Sequence, residues 1–134
     1  MNRLVRCISI LSFALILAGC ESNNSFRTEA GVKSDLQGSW QWVPIPRKQA
    51  PQVWNFDSGN LTVTTYDLNN SSTVTNVEHS TYTVKTTLTT PYLFIESSVY
   101  NGKWIIINLD KKVLTMDKTA AGTNSLIQKE FVKI

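Results

Sequence analysis

The sequence predicts an all-β domain, a small antiparallel meander barrel of eight or nine strands, with a β-sandwich as the alternative. Three observations support this prediction. The chain is rich in threonine, valine, isoleucine and aromatic residues, which fit a pleated, half-buried surface better than a helix. Turn signals recur at short intervals from residue 57 onward, as a meander requires. No convincing amphipathic helix follows Lys33, so closing the sheet on itself is the way to remove exposed strand edges.

The first nineteen residues are predicted to be a signal peptide and are excluded from the fold. Arg3 and Arg6 precede an apolar run at residues 7–18, and small residues follow, which is the order of a secretory signal. This run is about 12 residues long, well short of the roughly 20 that a helix needs to cross a bilayer. A permanent transmembrane helix is therefore not expected here.

The end of this signal, Leu17-Ala18-Gly19-Cys20, resembles the lipobox of bacterial lipoproteins. The resemblance implies that the Cys20 thiol receives a diacylglyceryl group, that cleavage occurs before Cys20, and that the new amino terminus is acylated, typically with palmitate. Two or more acyl chains anchor a protein stably, at about 0.8 kcal/mol per buried CH₂ group. We therefore expect a lipid-anchored envelope protein, placed on the outer membrane and facing the periplasm by the habits of lipobox proteins. The alternative is an ordinary secretory signal with a cysteine nearby by chance.

Cysteine usage and charge exclude several functions for the processed chain. Cys7 leaves with the signal and Cys20 carries lipid, so no disulfide, zinc-thiolate site or cysteine nucleophile is expected. The signal holds two of the 13 basic residues, which leaves 11 against 10 acidic ones. Without a basic patch, nucleic-acid binding is not expected. Residues 20–35, the lipidated cysteine and a polar stretch, are predicted to form a flexible tether, and residues 36–134 the barrel domain.

The strands are predicted from short runs of β-branched and apolar residues between turn signals. Asn101-Gly102 is the strongest hairpin signal, because a type I′ turn needs positive φ at both central positions. The three prolines within residues 44–51 predict a loop over one end of the barrel, since proline cannot donate to a ladder. The best-defined strand runs are residues 53–56, 61–66, 104–107, 113–116 and 126–133.

The first predicted strand contains Gly38-Ser39-Trp40, the Gly-x-Trp pattern of the first strand in lipocalins. The later spacing of Trp54-Asn55-Phe56, Tyr82, residues 104–109 and the last strand is similar to that of lipocalin-like domains in bacterial lipoproteins. The resemblance implies that Gly38 and Trp40 form the barrel-closing signature. Trp40 would then close the base and pack against a basic residue near the C-terminus, with Lys129 and Lys133 both open as its partner.

A ligand site is suggested by aromatic residues that share one face of their strands. Alternation places Trp42 with Trp40, and Trp54 with Phe56, and Tyr82 lies on a third predicted strand. If these faces point inward, Trp42, Trp54, Phe56 and Tyr82 line a pocket for a small hydrophobic ligand. The alternative is that the same side chains fill the core, which eight strands enclose with little room to spare.

No catalytic or metal constellation is visible in the sequence, so neither an enzyme nor a cofactor is expected. His79 is the only histidine, and Glu78 beside it points to the opposite face of an extended segment. The competing function is a solid-core interaction module of the envelope, an assembly factor or inhibitor. It predicts an exposed aromatic patch around Tyr92, Phe94 and Tyr100.

Overall fold

The computed structural model describes residues 27–44, 48–119, 122 and 125–134. These residues form one α-helix and eight antiparallel strands. Each strand pairs with the next along the chain, and the last pairs with the first, so the sheet is a closed barrel. The predicted all-β meander barrel is therefore confirmed, and the sandwich alternative is not. The elements are α1 Glu29–Leu36, β1 Gly38–Val43, β2 Gln52–Asp57, β3 Asn60–Tyr66, β4 Val74–Thr86, β5 Pro91–Glu96, β6 Gly102–Leu109, β7 Val113–Thr119 and β8 Leu126–Lys133.

Closure of the barrel depends on the pairing of β1 with β8. Trp40 lies opposite Lys133, and Trp42 lies opposite Phe131. The other edge of β1 pairs with β2, where Trp40 lies opposite Trp54. Every strand therefore has two partners, and no strand edge is left to pair with another chain.

Of the predicted turns, the one after residue 57 has positive φ at both central positions, and the one at Asn101-Gly102 does not. Ser58 and Gly59, between β2 and β3, have φ values of 50° and 97°, which is the sign pattern of a type I′ hairpin. At the predicted site only Gly102 has positive φ, at 121°. The predicted hairpin is present, since β5 pairs antiparallel with β6, but the two-residue type I′ turn is not, because residues 97–101 form a longer connection that carries Tyr100 inward.

A helix replaces the second half of the predicted tether. Thr28 caps α1, since its Oγ1 accepts a hydrogen bond from the Gly31 N–H at 3.1 Å. Val32 and Leu36, four positions apart, are fully buried against the barrel. The tether that the sequence predicted to reach residue 35 is thus wrong for residues 29–35, which are helical. The short helix was not predicted because only two of its eight residues are apolar and buried, which is too few to show the 3.6-residue period of an amphipathic helix.

The helix closes one end of the barrel, here called the base. The Trp40 indole Nε1 donates to the Leu36 carbonyl at 2.7 Å, so the first strand is tied to the end of α1. Gln37 Nε2 donates to the Tyr82 hydroxyl at 2.8 Å, and Gln37 Oε1 accepts from the Ser58 N–H at 2.9 Å. These bonds hold the base shut with main-chain and side-chain groups from three parts of the chain.

The interior of the barrel is filled by side chains. Trp54 is fully buried, and its ring centroid lies 5.0 Å from that of Phe131 and 6.2 Å from that of Trp104. The core is complete within residues 27–134, which supports independent folding of that stretch. No helix among the described residues is long and apolar enough to cross a bilayer. The largest fully buried side chains are Trp40, Trp54, Trp104, Phe56, Phe131, Leu36, Leu61, Leu93, Ile95, Leu109, Leu114 and Met116.

Candidate functional site

The end of the barrel opposite the base, here called the mouth, carries the candidate site. It lies where β1 ends, β2 begins and β8 begins, and α1 does not cover it. Trp42, Gln52, Tyr100 and Lys129 line it, each of them partly buried. The mouth is therefore the end of the barrel at which core side chains meet solvent.

Lys129 is the central charged group of the mouth. Its Nζ lies 3.4 Å from the centroid of the Trp42 ring, 5.6 Å from that of Trp54 and 5.9 Å from that of Tyr100. Ring faces attract an ammonium ion, which offsets part of the cost of taking it out of water. No carboxylate among the described residues forms an ion pair with Lys129. The positive charge is thus held by aromatic faces alone.

Whereas the ring faces stabilise the ammonium form of Lys129, burial destabilises it. Desolvation disfavours the charged form and lowers the pKa of Lys129 to about 8. The amine consequently exists in both protonation states near neutral pH, unlike a solvated lysine with a pKa near 10.4. Chemically, the group can pair with an anion in one state and act as a nucleophile in the other.

Gln52 holds two of the three rings in place. Its Nε2 donates to the Tyr100 hydroxyl at 2.9 Å, and its Oε1 accepts from Trp54 Nε1 at 3.3 Å. The rings of Trp54 and Tyr100 lie 4.7 Å apart between centroids. Burial is the largest cause that raises the pKa of Tyr100 above 10, so its hydroxyl stays protonated at neutral pH.

Hydrogen bonds within the connection between β5 and β6 position the backbone of Tyr100. Ser97 Oγ accepts from the N–H groups of Val99 and Tyr100, at 3.1 and 2.9 Å. Ser97 Oγ in turn donates to a Glu78 carboxylate oxygen, which also accepts from Ser98 Oγ at 3.2 Å. This carboxylate and these two hydroxyls are therefore used in a turn, and their arrangement explains the loop without any catalytic role.

A groove runs from the Lys129 side chain along the seam between β1 and β8. Its volume is about 510 Å³, within the range of small-molecule sites. Trp42 and the exposed side chains of Leu126 and Ile127 contribute its apolar surface. The groove thus combines apolar surface with polar side chains, among them Lys129 and Glu130. Its lining residues are Trp42, Val43, Gln49, Leu126, Ile127, Gln128, Lys129 and Glu130.

Three of the four residues predicted to line a ligand pocket are parts of the packed core. Trp54, Phe56 and Tyr82 are at most 2% exposed, and the Phe56 and Tyr82 rings meet edge to face at 5.1 Å. Only Trp42 remains accessible, because it lies at the mouth end of β1, two residues beyond the buried Trp40. The predicted inward orientation is correct, and the side chains point into a filled interior.

The two residues of the barrel-closing signature lie at the base. Trp40 is fully buried, and Lys133 Nζ lies 4.8 Å from the centroid of its ring. Gly38 has φ of 105°, and an added Cβ would come within 3.4 Å of Lys133 Cε. Of the two lysines left open, Lys133 packs on Trp40, and Lys129 packs on Trp42 at the mouth.

Lys129, Gln52 and Tyr100, the polar residues that line the mouth, were not predicted from the sequence to form a site there. A signal for Lys129 was present, because alternation places it on the same face as Phe131. Tyr100 had been placed in an outer patch with Tyr92 and Phe94, and it instead packs partly buried against the core. Tyr92 lies on the outer surface beneath Lys103 Nζ, at 3.8 Å.

His79 is solvent-exposed, and its Nδ1 lies 3.2 Å from Thr62 Oγ1. Glu78 faces the opposite side of β4, as its position in an extended strand predicts. The stretches 27–44, 48–119 and 125–134 contain no group of three or more His, Cys, Asp or Glu side chains placed to hold a metal ion. Cys20 and the rest of the lipobox lie outside the described residues, as does Pro46.

Comparison of the chain with known protein families, with curated proteins and with solved structures finds no significant match. The structural class of this protein is therefore defined by its fold alone. The chain forms a closed, eight-stranded antiparallel meander barrel with a helix across its base, an architecture compatible with a lipocalin-like domain.

Proposed function

We propose that this protein is a lipid-anchored lipoprotein of the bacterial envelope that binds a small amphiphile with an anionic group at the mouth of its barrel. The observation that carries the binding proposal is the Lys129 ammonium, which has no ion-pair partner among the described residues, beside a partly apolar groove of about 510 Å³. An anionic headgroup would supply the missing counter-charge, and a short apolar tail would cover Trp42 and Leu126. The ligand lies at the mouth rather than inside, because the interior is already packed.

The lipobox-like residues 17–20 support the anchor, and the position of α1 indicates which end of the barrel would face the membrane. Arg27 lies seven positions after Cys20, a reach of at most about 25 Å when fully extended. Since α1 lies at the base, a lipid on Cys20 would hold the base toward the membrane. The mouth would then face the aqueous side, where it can exchange a ligand.

The anchor is tested by labelling the full chain in a bacterial host with an alkyne analogue of palmitate. We expect the label on the wild-type chain and on Cys7→Ser, which is the matched control because Cys7 lies in the signal. Cys20→Ser should lose the label and leave the membrane fraction. Labelling of Cys20→Ser at the wild-type level would overturn the anchor.

The binding proposal is tested on residues 27–134 by calorimetric titration, with dodecanoate and the uncharged dodecanol as matched probes, both kept below their aggregation limits. We expect dodecanoate to bind and dodecanol to bind at least about ten-fold more weakly, since a charge-assisted contact contributes about 1.5–3 kcal/mol. Lys129→Met should remove this preference, and Lys133→Met, at the base, should keep it. Equal affinity for both probes, or none for either, would refute the proposal.

The alternative is a solid-core interaction module of the envelope. The packed interior favours it, as do Leu126 and Ile127 beside the groove, which are 61% and 41% exposed. An absence of binding by either probe would make this alternative the preferred function.

A further inference from the structure

Four lysines of the barrel lie over aromatic rings, and Lys129 differs from the other three. Lys133 Nζ also donates to the Asp35 carbonyl at 3.3 Å, and Lys118 Nζ donates to the Asn101 carbonyl. Lys103 also has no such partner among the described residues, but it lies exposed over Tyr92 at the outer surface, whereas Lys129 is partly buried. Within the described part of the chain, Lys129 has neither a hydrogen-bond acceptor nor a carboxylate as partner. Its Nζ is therefore committed to no polar group that a reaction would have to displace.

We propose that Lys129 is a site of reversible imine formation, at which its Nζ condenses with a small apolar aldehyde held in the mouth groove. This inference goes beyond the proposed function, because it needs the groove and the amine but no anionic ligand. The groove supplies the two things that such a reaction requires. Trp42 and Leu126 offer apolar surface for the aldehyde chain, and Lys129, whose Nζ lies over the Trp42 ring, lines the same groove.

The condensation balances without any further reactant. The lone pair of the neutral amine attacks the carbonyl carbon, and a proton moves from nitrogen to oxygen to give a carbinolamine. Loss of that hydroxyl as water forms the carbon–nitrogen double bond, so one aldehyde and one amine yield one imine and one water. No electron is transferred. Hydrolysis reverses the reaction, and the aromatic walls around Lys129 Nζ limit the access of water.

The neutral amine is available because the side chain of Lys129 is largely removed from water. Burial lowers the pKa of Lys129 to about 8, so about a quarter of the molecules carry a neutral amine at pH 7.5. A solvated lysine with a pKa near 10.4 is about 0.1% neutral at that pH. The charged or titratable groups near the amine are Tyr100, which stays protonated, and Glu130, which lines the same groove. Desolvated lysines are a known source of imine-forming nucleophiles.

The test uses the full-length processed protein, purified in an amine-free detergent, with hexanal as the probe. Sodium cyanoborohydride reduces each imine to a stable secondary amine, and peptide mapping by mass spectrometry then ranks the nine lysines of the chain. We expect Lys129 to be modified at least ten-fold faster than Lys111 and Lys112, which are exposed and serve as internal references. Its rate should level off above pH 8, while the rates of the references keep rising.

Two variants separate this inference from the proposed function. Lys129→Arg should abolish the fast modification, and Lys133→Arg should leave it intact, with circular dichroism reporting the fold of both. Fast labelling of Lys129 in a protein that ignores dodecanoate would support the imine site and refute only the anionic ligand. Labelling of Lys129 no faster than Lys111, in a protein that binds dodecanoate, would overturn the imine site alone.

Discussion

Truncation of Trp54 is the most direct test of a packed interior. This side chain is fully buried, and its ring centroid lies between 4.7 and 6.4 Å from those of Phe56, Tyr100, Trp104 and Phe131. Removing a buried aromatic ring costs about 3–5 kcal/mol, because transfer free energy is lost and a cavity remains. The total stability of a small domain is about 5–15 kcal/mol. We therefore expect Trp54→Ala to lower the free energy of unfolding by a large fraction of its total.

Trp42→Ala is the matched control, since Trp42 also contacts Lys129 but lies at the accessible mouth. Its truncation should cost no more than about 2 kcal/mol. Urea denaturation of residues 27–134, followed by circular dichroism and read at constant m-value, measures both changes. The melting temperature of Trp54→Ala should fall by at least about 12 °C. Equal and small costs for the two variants would mean that Trp54 lines a cavity rather than a packed core.

Four further changes test the base and the mouth by denaturation. Between pH 8 and pH 10 the unfolded chain binds more protons than the folded one at Lys129, because the folded pKa is the lower, so stability should rise with pH. Lys129→Met should lack this rise, and a parallel pH profile in the variant would contradict the assignment. Lys133→Met should cost about 1 kcal/mol through the lost contact with Trp40; no cost would show that the contact is dispensable. Thr28→Ala should cost about 1 kcal/mol by uncapping α1, and an unchanged melting temperature would refute the cap. Gly38→Ala should cost about 1–3 kcal/mol, because φ of 105° is strained for alanine; a neutral result would mean that the base adjusts freely.

The fold was predictable because each strand carries its own local signal. Alternation along β2 placed Trp54 and Phe56 on one face, and the structure shows both buried. The turn residues at 57–60 marked the first hairpin correctly, and the structure realises it with positive φ at Ser58 and Gly59. Such signals extend over only two to four residues, so they can be recognised without knowledge of the rest of the molecule.

Elements that depend on distant partners were not predictable. Helix α1 is stabilised by burial of Val32 and Leu36 against the barrel, and this apolar contact is too small to leave a period in the sequence. The turn at Asn101-Gly102 failed for a similar reason. Its local preference was overridden by the bonds of Ser97 with Glu78, two residues 19 positions apart.

The amino-acid sequence alone determined the all-β class and the meander order, which follow from its composition and its closely spaced turn signals. It also determined the inward faces of the strands, which follow from the two-residue period of an extended chain. Only the tertiary structure decided whether those faces enclose a ligand or one another, since that depends on how closely the closed sheet packs. It also decided which lysine meets Trp40 and which lies over Trp42. Lys129 and Lys133 are equivalent in a pattern of period two, and only barrel closure separates the mouth from the base.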